Sequence, residues 1–299
     1  DGREAMVTAT GVRSADGKRV LTGYLCALAA GALWGTTGPL STALYAEGAA
    51  LTAVGFWRIL LATLGFAVYG LVRPSLFRVD RRGLLLVGGV GGLLVAVFEV
   101  AYQYAIAGVG VAGAATLLYT APVLVAVLAR PLLGERLTAA RLGLAVLVMV
   151  GVALTVTGHA AEPGGGSATP AVGSAAWWIG VAGGLAAAGS YAGTTLLARF
   201  AVPRYGALRV LFLELAGGTL LLGALLPVTG HAPAPPGTAA GWIYILGLGL
   251  GSVVAANLFF FAGARRIEAA PTSVAASIEP VVGALLALGL FGQHLTPAG

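Results

Sequence analysis

Long apolar runs separated by short polar segments make up almost the whole chain. Nine runs are long enough to cross a lipid bilayer, because a transmembrane helix needs about 20 residues. They cover approximately residues 20–42, 52–72, 83–104, 109–133, 140–158, 176–198, 207–227, 239–262 and 269–291. This pattern predicts an all-α integral membrane protein that crosses the bilayer many times.

The composition agrees with a lipid-facing surface. Hydrophobic residues make up 58% of the 299 positions and charged residues 9%, with a mean hydropathy of +0.93. A soluble domain carries about 25% charged residues to solvate its surface. So few charges exclude a globular domain exposed to water on all sides.

The basic residues predict how the chain is oriented. Sixteen of the 17 lie in the alternate polar segments 1–19, 73–82, 130–141, 199–209 and 265–266. The other connections, 43–51, 105–109, 159–175 and 228–238, contain no Lys or Arg. The positive-inside rule therefore places the N-terminus in the cytoplasm, with residues 1–19 as a tail and residues 159–175 as an outward linker.

The chain contains an internal repeat. The run TLLYTAPVLVAVLARPLLGERLT at 116–138 corresponds to SVAASIEPVVGALLALGLFGQHLT at 273–296, and GTT at 35–37 corresponds to GTT at 193–195, with one offset of 158. The first repeat, 20–158, holds five spans, so the second, 176–299, must enter the membrane from the opposite side. We therefore expect an inverted repeat of five plus five helices, the tenth being absent from this chain.

These residues resemble a known family. ALWGTTGPL, FWRILLATL, APVLVAVLARPLLGERLT and IEPVVGALLALGLFGQHLT are similar to the EamA repeats of the drug/metabolite transporter superfamily, over about residues 20–296. The resemblance implies ten helices in the cytoplasmic membrane of a bacterium, and transport of small metabolites, often amino acids, without ATP. Inverted repeats suit alternating access, because they pack almost equally well inward-open and outward-open. The chain departs from the family pattern after LTPAG at 295–299, where the tenth helix would follow, which favours a truncated sequence.

Four charged residues lie inside predicted spans: Arg58, Glu99, Glu214 and Glu279. Each costs about 2.5–3.5 kcal/mol at mid-bilayer on insertion scales and therefore needs a partner or a function. Arg58 and Glu214 occupy similar places in the second and seventh spans, so they either neutralise each other or leave Arg58 for an anionic group of the substrate. Glu279 is expected to respond to protons or to pack against another helix.

Polar and aromatic residues predict a cavity at membrane depth. Glu99 and Tyr102 share a helical face and correspond to Asn257 and Phe260, so the pairs are either facing cavity walls or polar contacts between helices. Hydroxyls and aromatic rings suit a small amphipathic solute. The remaining candidate lining residues are Trp34, Thr37, Tyr119, Tyr191 and Ser277, and the predicted helix bends are at Pro39, Pro122 and Pro280.

Other functional classes lack sequence support. Neither a phosphate-binding G-x-x-x-x-G-K-[ST] loop nor an H-E-x-x-H or G-x-S-x-G motif occurs, the histidines have no metal-ligand spacing, and Cys26 is the single cysteine. We expect no enzyme activity, cofactor, metal or nucleic-acid partner, and a monomer that contacts a small-molecule substrate and the lipid bilayer. A nucleotide-sugar or sugar-phosphate carrier, a membrane scaffold and a membrane enzyme remain the alternatives.

Overall fold

The computed structural model describes residues 2–133, 143, 147, 170–267, 269–276 and 278–291. All regular structure in these residues is helical, which confirms the predicted class. The helices are α1 (Gly2–Gly35), α2 (Thr37–Ala46), α3 (Leu51–Val72), α4 (Arg81–Gly83), α5 (Gly92–Leu118), α6 (Ala121–Leu133), α7 (Ala175–Tyr205), α8 (Ala207–Val228), α9 (Ala239–Leu246), α10 (Ala256–Ile267), α11 (Ala269–Ala276) and α12 (Glu279–Phe291).

Five described helical stretches are long and apolar enough to cross a membrane: Gly17–Ala46, Leu51–Val72, Arg81–Val111, Ala207–Val228 and Ala239–Ile267. They correspond to predicted runs one, two, three, seven and eight. Helix α7 has 31 residues but is less apolar than these five because Gly, Ala, Ser and Thr dominate its sequence. Most of the predicted span 140–158 and most of the linker 159–175 lie outside the described residues.

Three helices are interrupted close to a proline. The first span breaks at Thr36, three residues before Pro39. The fourth breaks between Leu118 and Ala121, just before Pro122, and the ninth between Ala276 and Glu279, just before Pro280. A proline N–H is missing from the helical ladder, so a helix tolerates proline best in its first turn. Each new segment places its proline there.

Two helices contain π-helical segments next to tight glycine contacts. Leu84–Gly91 joins α4 to α5, and Gly247–Ala255 joins α9 to α10. A Cβ added to Gly91 would overlap the Glu214 side chain, and one added to Gly249 would overlap Leu61. Gly91 and Gly249 are 158 residues apart, so in both repeats a glycine at the equivalent position allows two helices to pack closely.

Helices α3 and α8 show the inversion of the repeats directly. They occupy equivalent positions in the sequence, yet the start of α8 lies beside the end of α3, where the Tyr205 hydroxyl donates to Asp80. At the other end, the Trp57 indole N–H near the start of α3 donates to the Ala234 carbonyl beyond the end of α8, at 3.1 Å. Equivalent helices therefore run antiparallel.

The two halves also share their turn chemistry and core. Gly48 and Gly206, 158 residues apart, both turn the chain with a positive φ, of 82° and 81°. Only a residue without a Cβ adopts that conformation at little cost.

The largest buried cluster packs α3 and α8 against the neighbouring helices through Ile59, Ala62, Phe66, Leu76, Ala96, Leu215, Leu222, Leu226 and Val253. This core holds the repeats together around the polar residues described next.

Candidate functional site

A buried ion pair lies at the centre of the first repeat. The Arg58 guanidinium on α3 donates through Nη1 to Glu99 Oε2 on α5, at 3.3 Å. The two side chains are 8% and 4% exposed. Partnering in this way offsets part of the cost of placing either charge in a low-dielectric interior.

The predicted alternative that Arg58 and Glu214 neutralise each other is wrong, because Arg58 pairs with Glu99 in this structure. Antiparallel α3 and α8 meet at Thr63 and Thr219, whose hydroxyls are 3.0 Å apart. Arg58 and Glu214 each lie five residues before that meeting point, so the rise of 1.5 Å per residue separates them by about 15 Å along the helices. Glu214 instead packs against Gly91, and its Oε1 is buried without a hydrogen-bond partner among the described residues.

Two further polar residues belong to the same region and were missed in the sequence. The Tyr45 hydroxyl on α2 donates to Gln103 Oε1 on α5. Gln103 is fully buried, and its Nε2 has no hydrogen-bond partner in the described part of the chain. Its position four residues after Glu99, on the same face of an apolar helix, is the signal that could have identified it.

Aromatic rings line one side of the site. Phe98 stacks on Tyr102 with ring centroids 5.5 Å apart and contacts Tyr191 at 6.2 Å. Tyr102 is buried, whereas Tyr191 and Tyr119 are 51% and 43% exposed. Tyr119 lies within electrostatic range of both Tyr102 and Tyr191, and we call these three residues the tyrosine wall.

The half-buried Glu279 of the second repeat lies within electrostatic range of these tyrosines. It is the first residue of α12, and its carboxylate interacts electrostatically with the phenols of Tyr102, Tyr119 and Tyr191 and with Arg58. Both repeats therefore contribute to one polar region. It contains one cationic group and two carboxyl groups, counting Arg58, Glu99 and Glu279.

Other predicted site residues make contacts of their own. Trp34 packs on Phe260 with centroids 5.3 Å apart, and the Asn257 amide donates to the Val253 carbonyl of its own helix, at 2.8 Å. Thr37 is buried at the start of α2. Ser277 lies outside the described residues, so its role stays a prediction.

The described residues do not bring three His, Cys, Asp or Glu side chains together as a metal site. Antiparallel equivalent helices around a buried charge cluster are the architecture of membrane transporters built from inverted repeats. The sequence model of the EamA-like transporter family matches residues 21–157 and 178–298. The chain therefore belongs to the EamA-like transporter family of the drug/metabolite transporter superfamily, and it is a multi-pass membrane transporter of small solutes.

Comparison with solved structures gives the same fold. One solved chain, described only as "Crystal structure of protein", superposes with a TM-score of 0.56 at 21% sequence identity. The similarity covers 94% of this chain and 91% of the other. No curated protein matches the sequence.

Proposed function

We propose that the chain is a secondary transporter that exports amino acids or related small zwitterionic solutes across the cytoplasmic membrane by alternating access. The observation that carries the proposal is the grouping of Arg58, Glu99 and Glu279 beside the tyrosine wall, between the two repeats. The transporter acts as a monomer in this proposal. The distribution of basic residues between spans supports an N-terminus in the cytoplasm.

The cluster matches the two charges of a zwitterion. Arg58 uses Nη1 for Glu99, while its buried Nε has no hydrogen-bond partner among the described residues and can donate to a substrate carboxylate. Glu279 offers a carboxylate to a substrate ammonium group. The rings of Tyr102, Tyr119 and Tyr191 supply an apolar surface with hydroxyl groups, as is usual for pockets that bind small amphipathic molecules.

The charge balance argues against a phosphate-bearing substrate. Arg58 is the one cationic side chain of the cluster and already bonds to Glu99, so a phosphate group would meet two carboxyl groups and few free donors. A nucleotide-sugar or sugar-phosphate carrier would need an excess of cations at this depth. The second candidate function, a sugar-phosphate carrier, is therefore disfavoured by the residues that form the cluster.

Counterflow tests the proposal. Purified protein in liposomes preloaded with an unlabelled amino acid should accumulate the same amino acid in labelled form, and a labelled sugar phosphate should not accumulate. Repeating the assay with an imposed pH gradient measures proton coupling, and inside-out vesicles measure direction. Accumulation of sugar phosphate but no amino acid would replace the proposed substrate class.

A further inference from the structure

Two residues in opposite repeats cap helices in the same way. Asp80 Oδ1 accepts a hydrogen bond from the Gly83 N–H at 2.8 Å, and Thr238 Oγ1 accepts one from the Gly241 N–H at 2.9 Å. Asp80 and Thr238 are 158 residues apart, as are Gly83 and Gly241. These caps are therefore equivalent positions of the repeat, at the N-termini of equivalent helices.

Each cap also bonds to the opposite repeat. The Tyr205 hydroxyl donates to Asp80 Oδ1 and Arg204 Nη2 donates to Asp80 Oδ2, both at 2.6 Å. The Thr238 hydroxyl donates to Glu47 Oε2 at 2.7 Å. Glu47 and Tyr205 are themselves 158 residues apart, so the same contact between repeats is formed twice. We name them the Asp80 latch (Asp80, Arg204, Tyr205) and the Glu47 latch (Glu47, Thr238).

Equivalent apolar clusters lie beneath the two latches. Val87, Val202 and Phe212 pack together near the Asp80 latch. Ile245, Leu44 and Val54 pack together near the Glu47 latch. Each residue of the first group is 158 positions from its counterpart in the second. A polar contact between the repeats therefore lies next to an apolar cluster at both ends of the molecule.

The latches lie at opposite ends of the membrane-spanning region. Helix α3 begins just after Glu47 and ends shortly before Asp80, and its 22 residues rise about 33 Å. That length is about the thickness of the hydrocarbon core. The Glu47 latch also borders a cavity of about 170 Å³ lined by Trp57, Pro235, Pro236 and Gly241 among others.

We propose that the Asp80 latch and the Glu47 latch are the two gates of the transport cycle, each closing one end of the polar region that holds Arg58, Glu99 and Glu279. This inference rests on the alternating access proposed above. Both latches are formed in this structure, so access from either side requires one of them to break while the other persists. On the proposed topology the Asp80 latch faces the cytoplasm and the Glu47 latch faces outward.

The two latches differ in the number of their polar contacts. Arg204 adds an ion pair to Asp80, whereas the position equivalent to Arg204 in the first repeat is Ala46, which has no charge. The Asp80 latch therefore makes one more polar contact than the Glu47 latch. Because both side chains of that ion pair are largely exposed, it stabilises the Asp80 latch only slightly.

Side-specific cysteine labelling tests the gates without any substrate. Two reporters, Val87→Cys and Ile245→Cys, are placed singly in a Cys26→Ala chain, since both native side chains are buried and occupy equivalent positions. A membrane-impermeant maleimide is added to right-side-out or inside-out vesicles. The Glu47→Ala variant and the double variant Arg204→Gln/Tyr205→Phe break one latch each and leave both helix caps intact.

We expect opposed changes. Glu47→Ala raises the labelling rate of Ile245→Cys from its own side about two- to fivefold, the range for an exposed polar pair, and lowers that of Val87→Cys. The Arg204→Gln/Tyr205→Phe variant does the reverse. Thr22→Ala, which removes an exposed hydroxyl bonded within its own helix, changes neither rate.

Equal labelling rates in all variants, or labelling rates that rise at both reporter cysteines together, would contradict the assignment of the two latches as gates. The outcome is independent of substrate assignment, because the labelling assay contains no solute. Opposed shifts in a protein without amino-acid counterflow would retain the gates and reject the proposed substrate. Active counterflow without any opposed shift would retain the transporter and reject these latches.

Discussion

The hydroxyls of Thr63 and Thr219 lie 3.0 Å apart at the middle of two helices that are equivalent in the two repeats. Thr63 and Thr219 are each the thirteenth residue of their helix, although the offset of 158 pairs Thr63 with Leu221. When residues at nearly equivalent positions of antiparallel helices are in contact, the axis that relates the two copies passes close to them. This pair therefore marks the position of the pseudo-two-fold axis. Arg58 and Glu214 are displaced from it in opposite directions, which explains why they do not meet.

The Thr63–Thr219 bond should be measurable as a coupling. Either Thr63→Val or Thr219→Val leaves the partner hydroxyl unsatisfied, and we expect a loss of about 1 kcal/mol in the free energy of unfolding. The double variant should lose less than the sum, because neither position then carries an unpaired hydroxyl. Denaturation in detergent measures all four proteins. Additive losses of unfolding free energy would show that the two side chains do not interact.

The Arg58–Glu99 pair should resist single neutralisation. Removing either charge leaves the other buried and uncompensated, which typically costs about 3–5 kcal/mol. We expect Glu99→Ala and Arg58→Ala each to lower the yield of folded protein in detergent. The exchanged protein, Arg58→Glu/Glu99→Arg, should recover part of that yield, whereas combining Arg58→Ala with Glu214→Ala should not. If Glu214→Ala recovered the yield of the Arg58→Ala protein, Arg58 would instead be paired with Glu214.

Close approach of α8 to the π-helical segment should make Gly217 intolerant of a side chain. A Cβ at Gly217 would overlap the Gly88 carbonyl oxygen, and backbone cannot move aside as a flexible side chain can. We expect Gly217→Ala to lower the free energy of unfolding by about 1–3 kcal/mol. Gly89→Ala is the matched control, since nothing lies within 4 Å of the added methyl group. Equal stability of the two variants would contradict this packing.

Acid should weaken the Asp80 latch. The Tyr205 hydroxyl, the Gly83 N–H and the Arg204 guanidinium all stabilise the Asp80 carboxylate, so they lower its pKa below the usual value of about 4. The latch therefore contributes stability above that usual value and loses it as the pH falls through the lowered pKa. The unfolding midpoints of wild type and Tyr205→Phe should differ at pH 7 and converge at acid pH. A constant difference at every pH would contradict the linkage.

The apolar runs and the offset of 158 were sufficient to predict the helical fold and the inverted arrangement. The length of an apolar run shows that it can cross the bilayer. An odd number of spans in the first repeat means that the second repeat has the opposite orientation in the membrane. The partner of Arg58 could not be predicted in the same way. Sequence equivalence identifies related positions, whereas pairing depends on where the antiparallel helices cross, which Thr63 and Thr219 determine.

Other parts of the site were predictable only in part. Tyr102, Tyr119 and Tyr191 stand out as aromatic residues in interrupted or duplicated spans, but their proximity to Glu279 depends on how α12 packs against the first repeat. The Asp80 and Glu47 latches lie in short connections where apolar periodicity carries no information. Their equivalence is visible in the numbering once the contacts are known.

A direct test of the central claim is amino-acid counterflow by Glu279→Gln beside its control Glu214→Gln. Both changes remove a carboxylate from an apolar helix, but Glu279 lies within electrostatic range of Arg58 and the tyrosine wall, whereas Glu214 packs against Gly91. We predict that Glu279→Gln abolishes accumulation of the labelled amino acid, while Glu214→Gln retains most of it at equal protein per liposome. Full activity of Glu279→Gln would contradict a zwitterion site shared by the two repeats.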